Sequence, residues 1–278
     1  MPDLAFRIVN VFARSSLDGN PLCVFEDGSG VDDATMLALA LQFNLSETTF
    51  ILPSSTATAR VRIFTPTFEM PFAGHPTLGT AHVVREVAHA GDAITLEMRA
   101  GRIPVNAEAN TWTLEANAPR HRAPTASRTQ LAAMLGLAAD DLGESPLWVD
   151  TGSEQLVIPL ESFDAVRRVA PKADALLAHG SNGTRAMAYV FARQGNEVLC
   201  RFFFPKHGAV IEDPGTGSAC ANLGGWLLAT GAALPQRLTL EQGHAVGRPC
   251  WLGLEVTADR RIRVSGQVIE VARGIYRL

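Results

Sequence analysis

The sequence predicts an α+β protein of two similar halves, each a barrel-like sheet of short strands curled around one buried helix. One observation is an internal repeat, in which Arg62-Ile63-Phe64-Thr65-Pro66 matches Arg201-Phe202-Phe203-Phe204-Pro205 at an offset of 139 positions. A second is that Gly74 matches Gly217 at an offset of 143, so the second copy has four extra residues before its glycine. A third is that the helix-compatible stretch after Gly217 is almost uncharged, and the stretch after Gly74 is nearly as apolar. A helix without a polar face must be buried on all sides, as it would be inside a curled sheet.

Composition excludes several classes of protein. A chain of 278 residues with 47% hydrophobic residues fits one large globular domain or two of ordinary size. The formal net charge of −4 gives no reason to expect nucleic acid or an anionic membrane as a partner. No apolar run approaches the roughly 20 residues that cross a bilayer. Since the first seven residues also lack the layout of a signal peptide, we expect a cytoplasmic protein.

Neither a metal site nor a cofactor site is predicted. The chain has four scattered cysteines, which form no zinc-binding or disulfide framework and are expected to be reduced thiols: Cys23, Cys200, Cys220 and Cys250. No Walker loop occurs, and no dinucleotide-binding Gly-x-Gly-x-x-Gly follows the first strand. His75 and His82 are about two helical turns apart, but no Cys, Asp or Glu accompanies them as metal ligands would.

The first half is predicted to combine two helices with short strands. Asp32 or Asp33 can cap the first helix, and Pro76 lies where proline is tolerated, in the first turn of the second. Residues 60–65 alternate with the period of two that a half-buried strand shows. The helix candidates are 33–43 and 76–89, and the other strand candidates are 5–12, 22–25, 49–52, 94–98, 102–107 and 111–116.

The second half begins after residues 119–127, a proline-containing stretch with few apolar residues that is the best linker candidate. We therefore place the first domain at residues 1–122 and the second at residues 123–265. The helix candidates in the second domain are 129–135 and 217–230, and the strand candidates are 147–151, 155–159, 187–192, 198–204, 238–241, 250–257, 262–267 and 268–271.

Two glycine-containing turns, residues 71–77 and 212–219, precede the two buried helices. A helix start exposes unpaired backbone N–H groups and the positive end of the helix dipole, which together bind anions. Gly74, Gly217 and Ser218 could therefore supply backbone and hydroxyl donors to a carboxylate. Two such turns indicate one carboxylate-bearing substrate held between two similar halves.

Glu47 is the first candidate for proton transfer. It lies in Leu45-Ser46-Glu47-Thr48, between a helix and a strand and among apolar or small neighbours. Partial burial disfavours the charged form of a carboxylate and suits it to proton transfer near neutral pH. The local sequence by itself favours a simpler explanation, in which Glu47 is a turn or capping residue in contact with water.

His75 and Asp213 are two further candidates, and each has an alternative explanation. A positive helix end would keep the His75 imidazole neutral, so that it could both donate and accept a proton. His75 could equally well bond to backbone in its turn. Asp213 could relay a proton or bind a substrate amine or hydroxyl, and it could as readily cap the helix that follows.

In combination, these motifs resemble the phenazine biosynthesis PhzF-like family over essentially the whole chain. They occur in the order seen in that family: Gly19-Asn20-Pro21, Leu45-Ser46-Glu47-Thr48, Thr65-Pro66, Gly74-His75-Pro76-Thr77, Glu212-Asp213-Pro214-Gly215-Thr216-Gly217-Ser218, Gln242-Gly243 and Gly247-Arg248-Pro249. The resemblance implies the diaminopimelate epimerase-like fold, with mostly antiparallel sheets and an active site in a cleft between two pseudo-symmetric domains. It also implies that residues 266–278 return to the first domain.

The resemblance further implies an isomerase that needs no cofactor or metal. Glu47 matches the proposed proton shuttle of the family, while His75, Asp213 and Ser218 match positions around the substrate. We expect Gly74, Gly217 and Ser46 to contribute to binding as well. The expected substrate is a small carboxylate, which can be cyclic and can carry amino or hydroxy substituents, and the expected assembly is a homodimer.

Two other functions remain open from the sequence. Related epimerases and proline racemases use two cysteines at helix-facing positions, which look like Gly74 and Asp213 here, and neither is cysteine. A binding protein without turnover would keep the cleft but has no need of Glu47, His75 and Asp213 together. Hydrogen exchange into a substrate distinguishes the three functions: inversion indicates an epimerase, double-bond migration an isomerase, and binding without exchange a binding protein.

Overall fold

The computed structural model describes residues 3–278, and the chain forms two compact units. The first unit extends to Glu115 and also includes Ser265–Leu278, whereas the second unit is Ala116–Val264. Both units combine strands with a few helices, so the predicted α+β class is confirmed.

Within residues 3–278, the first unit contains two helices and eight complete strands. In chain order they are β1 (Asp3–Val11), β2 (Asn20–Phe25), α1 (Asp33–Phe43), β3 (Thr48–Leu52), β4 (Ala59–Phe64), β5 (Glu69–Met70), α2 (Gly74–Val87), β6 (Ala93–Met98), β7 (Gly101–Glu108) and β8 (Thr111–Glu115).

The second unit contains four α-helices. Its elements are β9 (Arg120–Arg122), α3 (Arg128–Leu135), β10 (Leu147–Asp150), β11 (Glu154–Pro159), α4 (Phe163–Arg168), α5 (Ala173–His179), β12 (Ala188–Gln194), β13 (Glu197–Lys206), β14 (Ala209–Asp213), α6 (Gly217–Ala229), β15 (Gln236–Gln242) and β16 (Cys250–Val256). The last strand, β17 (Ile262–Arg277), starts in the second unit and continues into the first.

The strands of the first unit form a closed ring around α2. The antiparallel neighbours are β1–β2, β3–β4, β6–β7, β7–β8 and β1–β17, while β2–β3 and β4–β6 are parallel, and β17 also pairs with β8. Inside the ring, α2 is buried from Gly74 to Val84. A Cβ at Gly79 would lie 2.7 Å from Leu22 Cδ2 and 2.9 Å from Val11 Cγ2, so only glycine allows this close packing.

The second unit repeats this pattern around α6. The antiparallel neighbours are β9–β10, β10–β11, β12–β13, β13–β14 and β15–β16, whereas β11–β12 and β13–β15 are parallel. Here Gly224 and Gly225 allow the close approach, since a Cβ on Gly225 would lie 2.6 Å from Val149 Cγ1. Both apolar stretches are therefore buried central helices, as predicted.

The repeated Arg-x-Phe motif has the same structural role in both units. Arg62 forms a bidentate pair with Glu69 on the neighbouring strand and lies over the Phe64 ring. Arg201 does the same with Glu212 and the Phe203 ring. In each case the arginine, aromatic ring and glutamate join two strands of the hairpin that leads to the central helix.

The register also locates the four extra residues of the second copy. Phe64 pairs with Glu69 across four intervening residues, whereas Phe203 pairs with Glu212 across eight. The insertion therefore lengthens the hairpin and leaves the approach to the helix unchanged: Met70 and Asp213 each precede the helix glycine by four positions.

The structure differs from the sequence predictions in several details. Neither β5 nor β14 was predicted. The proposed linker 119–127 contains β9, whose residues pair with β10, so this polar stretch is part of the sheet of the second unit. Helices α4 and α5 were not predicted, because six or seven residues are too few to show a helical period. The two predicted strands 262–267 and 268–271 are one strand that pairs with β1 from Val268 to Arg277.

No helix in residues 3–278 is both long enough and apolar enough to span a membrane.

Candidate active site

In the first unit, the candidate site lies at the start of α2. Its N-cap residue is Ala73, whose side chain provides no capping hydrogen bond. The first backbone N–H groups of a helix lack acceptors within the helix. Thr77 Oγ1 donates to Ala73 O at 2.7 Å and closes the first turn, in which Gly74, His75 and Pro76 are all buried.

Glu47 and His75 meet at this helix start. Left-handed Asn44 ends α1, and Glu47 occupies the last position before β3. Its Oε2 lies 3.5 Å from His75 Nε2, and the Glu47 and His75 side chains are only 15% and 6% exposed. Glu47 is therefore largely buried beside a histidine, and the structure does not support the simpler explanation of a glutamate in contact with water.

A hydrogen bond from Asn20 defines the tautomer of His75. Asn20, at the start of β2, lies with its side-chain Nδ2 3.4 Å from His75 Nδ1. An amide nitrogen can only donate, so Nδ1 accepts and the ring hydrogen is on Nε2, on the side of Glu47. Because burial lowers the pKa of His75 to about 3, the imidazole is neutral at physiological pH. The neutral N–H can hydrogen-bond to the carboxylate without neutralising its charge.

We expect His75 to make stability depend on pH in the acid range. An unfolded histidine binds a proton near pH 6.5, whereas the folded His75 does so only near pH 3. Between these values the unfolded state binds more protons, so stability falls as pH falls, by up to about 1.4 kcal/mol per pH unit. Urea unfolding of wild type and His75→Asn at pH 7, 5 and 4 measures this contribution. The variant should lose less stability on acidification, and equal pH dependence would contradict the assignment. His121→Asn, on the exposed strand β9, is the matched control and should behave as wild type.

In the second unit, Asp213 is the last residue of β14 and lies beside the start of α6. The N-cap residue of α6 is Thr216, so the proposed helix cap at Asp213 is not observed. Instead, Thr216 Oγ1 donates a hydrogen bond to Asp213 Oδ2. Gln242 Nε2 donates to Asp213 O at 2.8 Å and to Thr216 Oγ1 at 3.0 Å, while Thr216 N donates to Gln242 Oε1 at 3.2 Å. This fully buried glutamine holds the turn between Asp213 and α6.

Ser218 is the second residue of α6 and is partly exposed, while the neighbouring Gly217 is buried. Gln155 Nε2 donates to Ser218 Oγ at 2.9 Å. Ser46 lies exposed in the turn between α1 and β3. Glu47, His75 and Gly74 thus occupy the α2 end of the first unit, and Asp213, Gly217 and Ser218 occupy the α6 end of the second.

Sequence reasoning missed the buried amides that support these residues: Asn20, Gln155, Asn222 and Gln242. Asn20 lies in the motif Gly19-Asn20-Pro21, and Gln242 lies in Gln242-Gly243, but the sequence assigns neither amide a role. Asn222 gave a usable signal, because a polar residue in the middle of an all-apolar helix requires a buried partner.

Within the repeat, the two positions compared with the cysteines of racemases are not equivalent to each other. Gly74 corresponds to Gly217, and Asp213 corresponds to Met70. The N-cap residues Ala73 and Thr216 do correspond, and neither is cysteine. Cys220 lies within α6, and burial raises the pKa of its thiol well above the usual value, so it is an inert core residue.

Among the described residues 3–278, no three His, Cys, Asp or Glu side chains are grouped closely enough to hold a metal ion.

Comparison with known proteins identifies the family and the fold of this chain. The family model for phenazine biosynthesis-like proteins matches residues 9–274. The chain belongs to the phenazine biosynthesis-like family. It is 37% identical to an uncharacterised isomerase of Pasteurella multocida, over 97% of this chain and 93% of the relative. It is 34% identical to the trans-2,3-dihydro-3-hydroxyanthranilate isomerase of Pseudomonas aeruginosa, over 97% and 98% of the two chains. The phenazine biosynthesis protein of Bacillus anthracis, of the PhzF family, superposes with a TM-score of 0.89 over 100% of both chains at 24% identity.

These relatives make the present chain an isomerase of the phenazine biosynthesis-like family. Its fold, with a central helix in each of two related units, is that of the PhzF proteins.

Proposed function

We propose that this isomerase moves a proton between two carbons of a small carboxylated ring, with Glu47 as the group that carries the proton. The observation that supports this most is the buried pair of Glu47 Oε2 and neutral His75 Nε2, 3.5 Å apart. A carboxyl group at this position can take a proton from one carbon and return it to another. The reaction is redox-neutral, because the proton that leaves one carbon is replaced by a proton at the other.

The two helix starts suit the intermediate of such a reaction. Removing a proton from carbon leaves a delocalised anion, and fixed dipoles that point at the developing charge stabilise it. We propose that Gly74 and Gly217 contribute backbone N–H donors to the substrate, that Ser218 contributes its hydroxyl, and that Ser46 adds a polar contact near Glu47. Asp213, oriented by Thr216, is proposed to bind or protonate a polar substituent of the substrate.

The substrate we propose is trans-2,3-dihydro-3-hydroxyanthranilate or a close analogue. Relatives from two other Pseudomonas species, 34% and 33% identical to this chain, have the same isomerase name as the Pseudomonas aeruginosa protein. An amino- and hydroxy-substituted cyclic carboxylate has one anionic group for a helix start and polar substituents for Asp213 and His75. A two-thiol epimerase is not favoured, since neither Gly74 nor Asp213 is cysteine and the N-cap residues of the two central helices, Ala73 and Thr216, are not cysteine either.

Incubation of the purified enzyme with this compound in D₂O, followed by ¹H NMR, tests the proposal. We expect double-bond migration, with deuterium at the newly protonated carbon in the part of the product whose transferred hydrogen has exchanged with solvent. Exchange with inversion at a stereocentre would instead indicate an epimerase, and binding without exchange would indicate a protein that does not turn the compound over.

A further inference from the structure

A chain of buried amides runs through the second unit and ends at Ser218. Asn222 in α6 is fully buried, Gln155 in β11 is 4% exposed, and Thr151 is 6% exposed. The backbone N and Oγ1 of Thr151 donate to Asn222 Oδ1 at 2.9 Å and 2.7 Å. Asn222 Nδ2 then donates to Gln155 Oε1 at 2.8 Å, and Gln155 Nε2 donates to Ser218 Oγ at 2.9 Å.

The direction of each hydrogen bond in this series follows from the first bond, which Thr151 N donates to Asn222 Oδ1. A backbone N–H can only donate, so the atom of Asn222 that faces Thr151 is the oxygen. Asn222 Nδ2 therefore faces Gln155 and also the carbonyl oxygen of Ser153, at 2.8 Å. Gln155 must accept from Asn222 with its oxygen, which turns its nitrogen towards Ser218.

Ser218 is consequently an acceptor within the protein. A serine hydroxyl has one hydrogen to donate. In its hydrogen bond with Gln155, Ser218 accepts, so this bond does not use the hydroxyl hydrogen. The Ser218 side chain is partly exposed and lies at the N-terminus of α6, where the helix dipole favours negative charge. The group that Ser218 can bind is therefore an acceptor oxygen, and an anionic one is favoured.

The first unit shows that the fold does not need these amides. Asn222 follows Gly217 by five positions, as Gly79 follows Gly74. Gln155 follows Gly152 by three positions, as Leu22 follows Gly19 at an offset of 133. At the corresponding contact in the first unit, Leu22 packs directly on Gly79 without any hydrogen bond. Where the first unit has the apolar contact of Leu22 with Gly79, the second unit has the buried amides of Gln155 and Asn222. Burying an amide is unfavourable unless each of its polar atoms is hydrogen-bonded.

The same comparison relates Ser218 to His75. Each residue directly follows the first glycine of its central helix, and each accepts a hydrogen bond from an amide of the neighbouring strand. In the first unit the donor is Asn20 of β2, and in the second it is Gln155 of β11. In both units, a side-chain amide on a strand next to the helix start donates to the residue after the helix glycine. That hydrogen bond determines which atom or direction is left to carry the hydrogen of His75 or Ser218.

We propose that Gln155 and Asn222 are positioning residues that make Ser218 a fixed hydrogen-bond donor to a carboxylate oxygen of the substrate. This inference rests on the proposed function for the substrate class, and it assigns the carboxylate to the α6 helix start. Gln155 and Asn222 act through Ser218 and do not themselves touch the substrate.

Binding of two matched aromatic probes tests the inference. The probes are 3-hydroxyanthranilate and 2-aminophenol, which differ only in the carboxylate, and isothermal titration calorimetry measures both. In Gln155→Glu, a carboxylate oxygen replaces the amide nitrogen, so Ser218 must donate to it and loses its hydrogen for the ligand. We expect 3-hydroxyanthranilate to bind about 10- to 100-fold more weakly, as for a lost hydrogen bond to a charged group, and the Kd of 2-aminophenol to change less than about twofold.

Two further variants separate positioning from folding. In a Ser218→Ala background, Gln155→Glu should weaken 3-hydroxyanthranilate binding by a smaller factor than it does in wild type, because the charge repulsion remains but the serine hydrogen is no longer there to be lost. The double variant Gln155→Leu with Asn222→Gly introduces the residue types of the first unit, but it leaves Thr151 N and Ser153 O without their Asn222 partner. It should be less stable than wild type but lose less affinity than Gln155→Glu, because its serine hydroxyl is released and not bound to a new acceptor.

Several results would overturn the inference. These are unchanged 3-hydroxyanthranilate binding in Gln155→Glu, an equal loss for both probes, an equally large loss in the wild-type and Ser218→Ala backgrounds, or no binding of 3-hydroxyanthranilate to wild type. Because the measurement is binding and not turnover, an enzyme that fails to isomerise the dihydro compound can still show the expected Kd pattern, and an active enzyme can still fail to show it.

Discussion

Glu47→Gln is expected to lower kcat by at least about 10²- to 10⁴-fold, because removing a general acid–base group has an effect of that size. Glutamine keeps the shape of the side chain and one acceptor oxygen, but it does not carry a proton. The fold and the affinity for 3-hydroxyanthranilate should change little, since Glu47 lies in a turn outside the hydrogen-bond ladders of the sheet. Steady-state kinetics with trans-2,3-dihydro-3-hydroxyanthranilate, together with calorimetric binding of 3-hydroxyanthranilate, measures both effects.

Two variants serve as controls for this result. Cys220→Ala should keep kcat within about twofold of wild type, because a buried thiol with a raised pKa does not take part in proton transfer. Asp213→Asn still accepts the Thr216 hydroxyl, so a lowered kcat would indicate a role in catalysis and a normal kcat a role in the turn alone. If Glu47→Gln keeps more than about a tenth of the wild-type kcat, Glu47 is not the shuttle.

Gly243→Ala is expected to destabilise the second unit by about 3 kcal/mol or more, among the larger effects of single substitutions. Gly243 has a φ of +81°, and a Cβ there would lie 2.3 Å from Arg248 O and 2.4 Å from Pro214 O. Two backbone carbonyls would have to move, and Pro214 directly follows Asp213. We therefore expect a lower kcat in any Gly243→Ala protein that folds.

Gly247 provides the matched control for Gly243. It has a similar φ of +70°, but a Cβ there would meet no atom within 4 Å. Gly247→Ala should therefore lose only the left-handed strain of about 1–2 kcal/mol and keep its activity. Urea unfolding of both variants measures the difference, and equal losses would show that the close approach of Gly243 to Pro214 has no energetic importance.

Much of the fold could be predicted because the central helices and the repeat are local signals. The uncharged stretch after Gly217 could only be a buried helix, and the Arg62 and Arg201 motifs defined the duplication. The capping residue Asp32 also predicted where α1 begins, and its side chain accepts from Thr35 N. The polar strand β9 was not predicted, because pairing with β10 and not its own composition makes it a strand.

The candidate site was only partly predictable, for a different reason. The neighbours of Glu47 in sequence favoured a solvated turn, and its contact with His75 comes from a residue 28 positions away. The amides that orient His75 and Ser218 lie on strands 55 and 63 positions earlier in the chain. Hydrogen bonds over such separations depend on the register of the sheet, which periodicity and motif order do not reveal.

Transfer of deuterium within the substrate tests the single-carboxylate mechanism most directly. The measurement uses trans-2,3-dihydro-3-hydroxyanthranilate that carries deuterium at the carbon that loses its hydrogen, turned over in H₂O and analysed by NMR and mass spectrometry. The Glu47 side chain is only 15% exposed, so the hydrogen it receives is shielded from exchange with water. We predict that part of the product retains this deuterium at the newly protonated carbon. Product that carries no substrate-derived deuterium at any stage of the reaction would contradict the account.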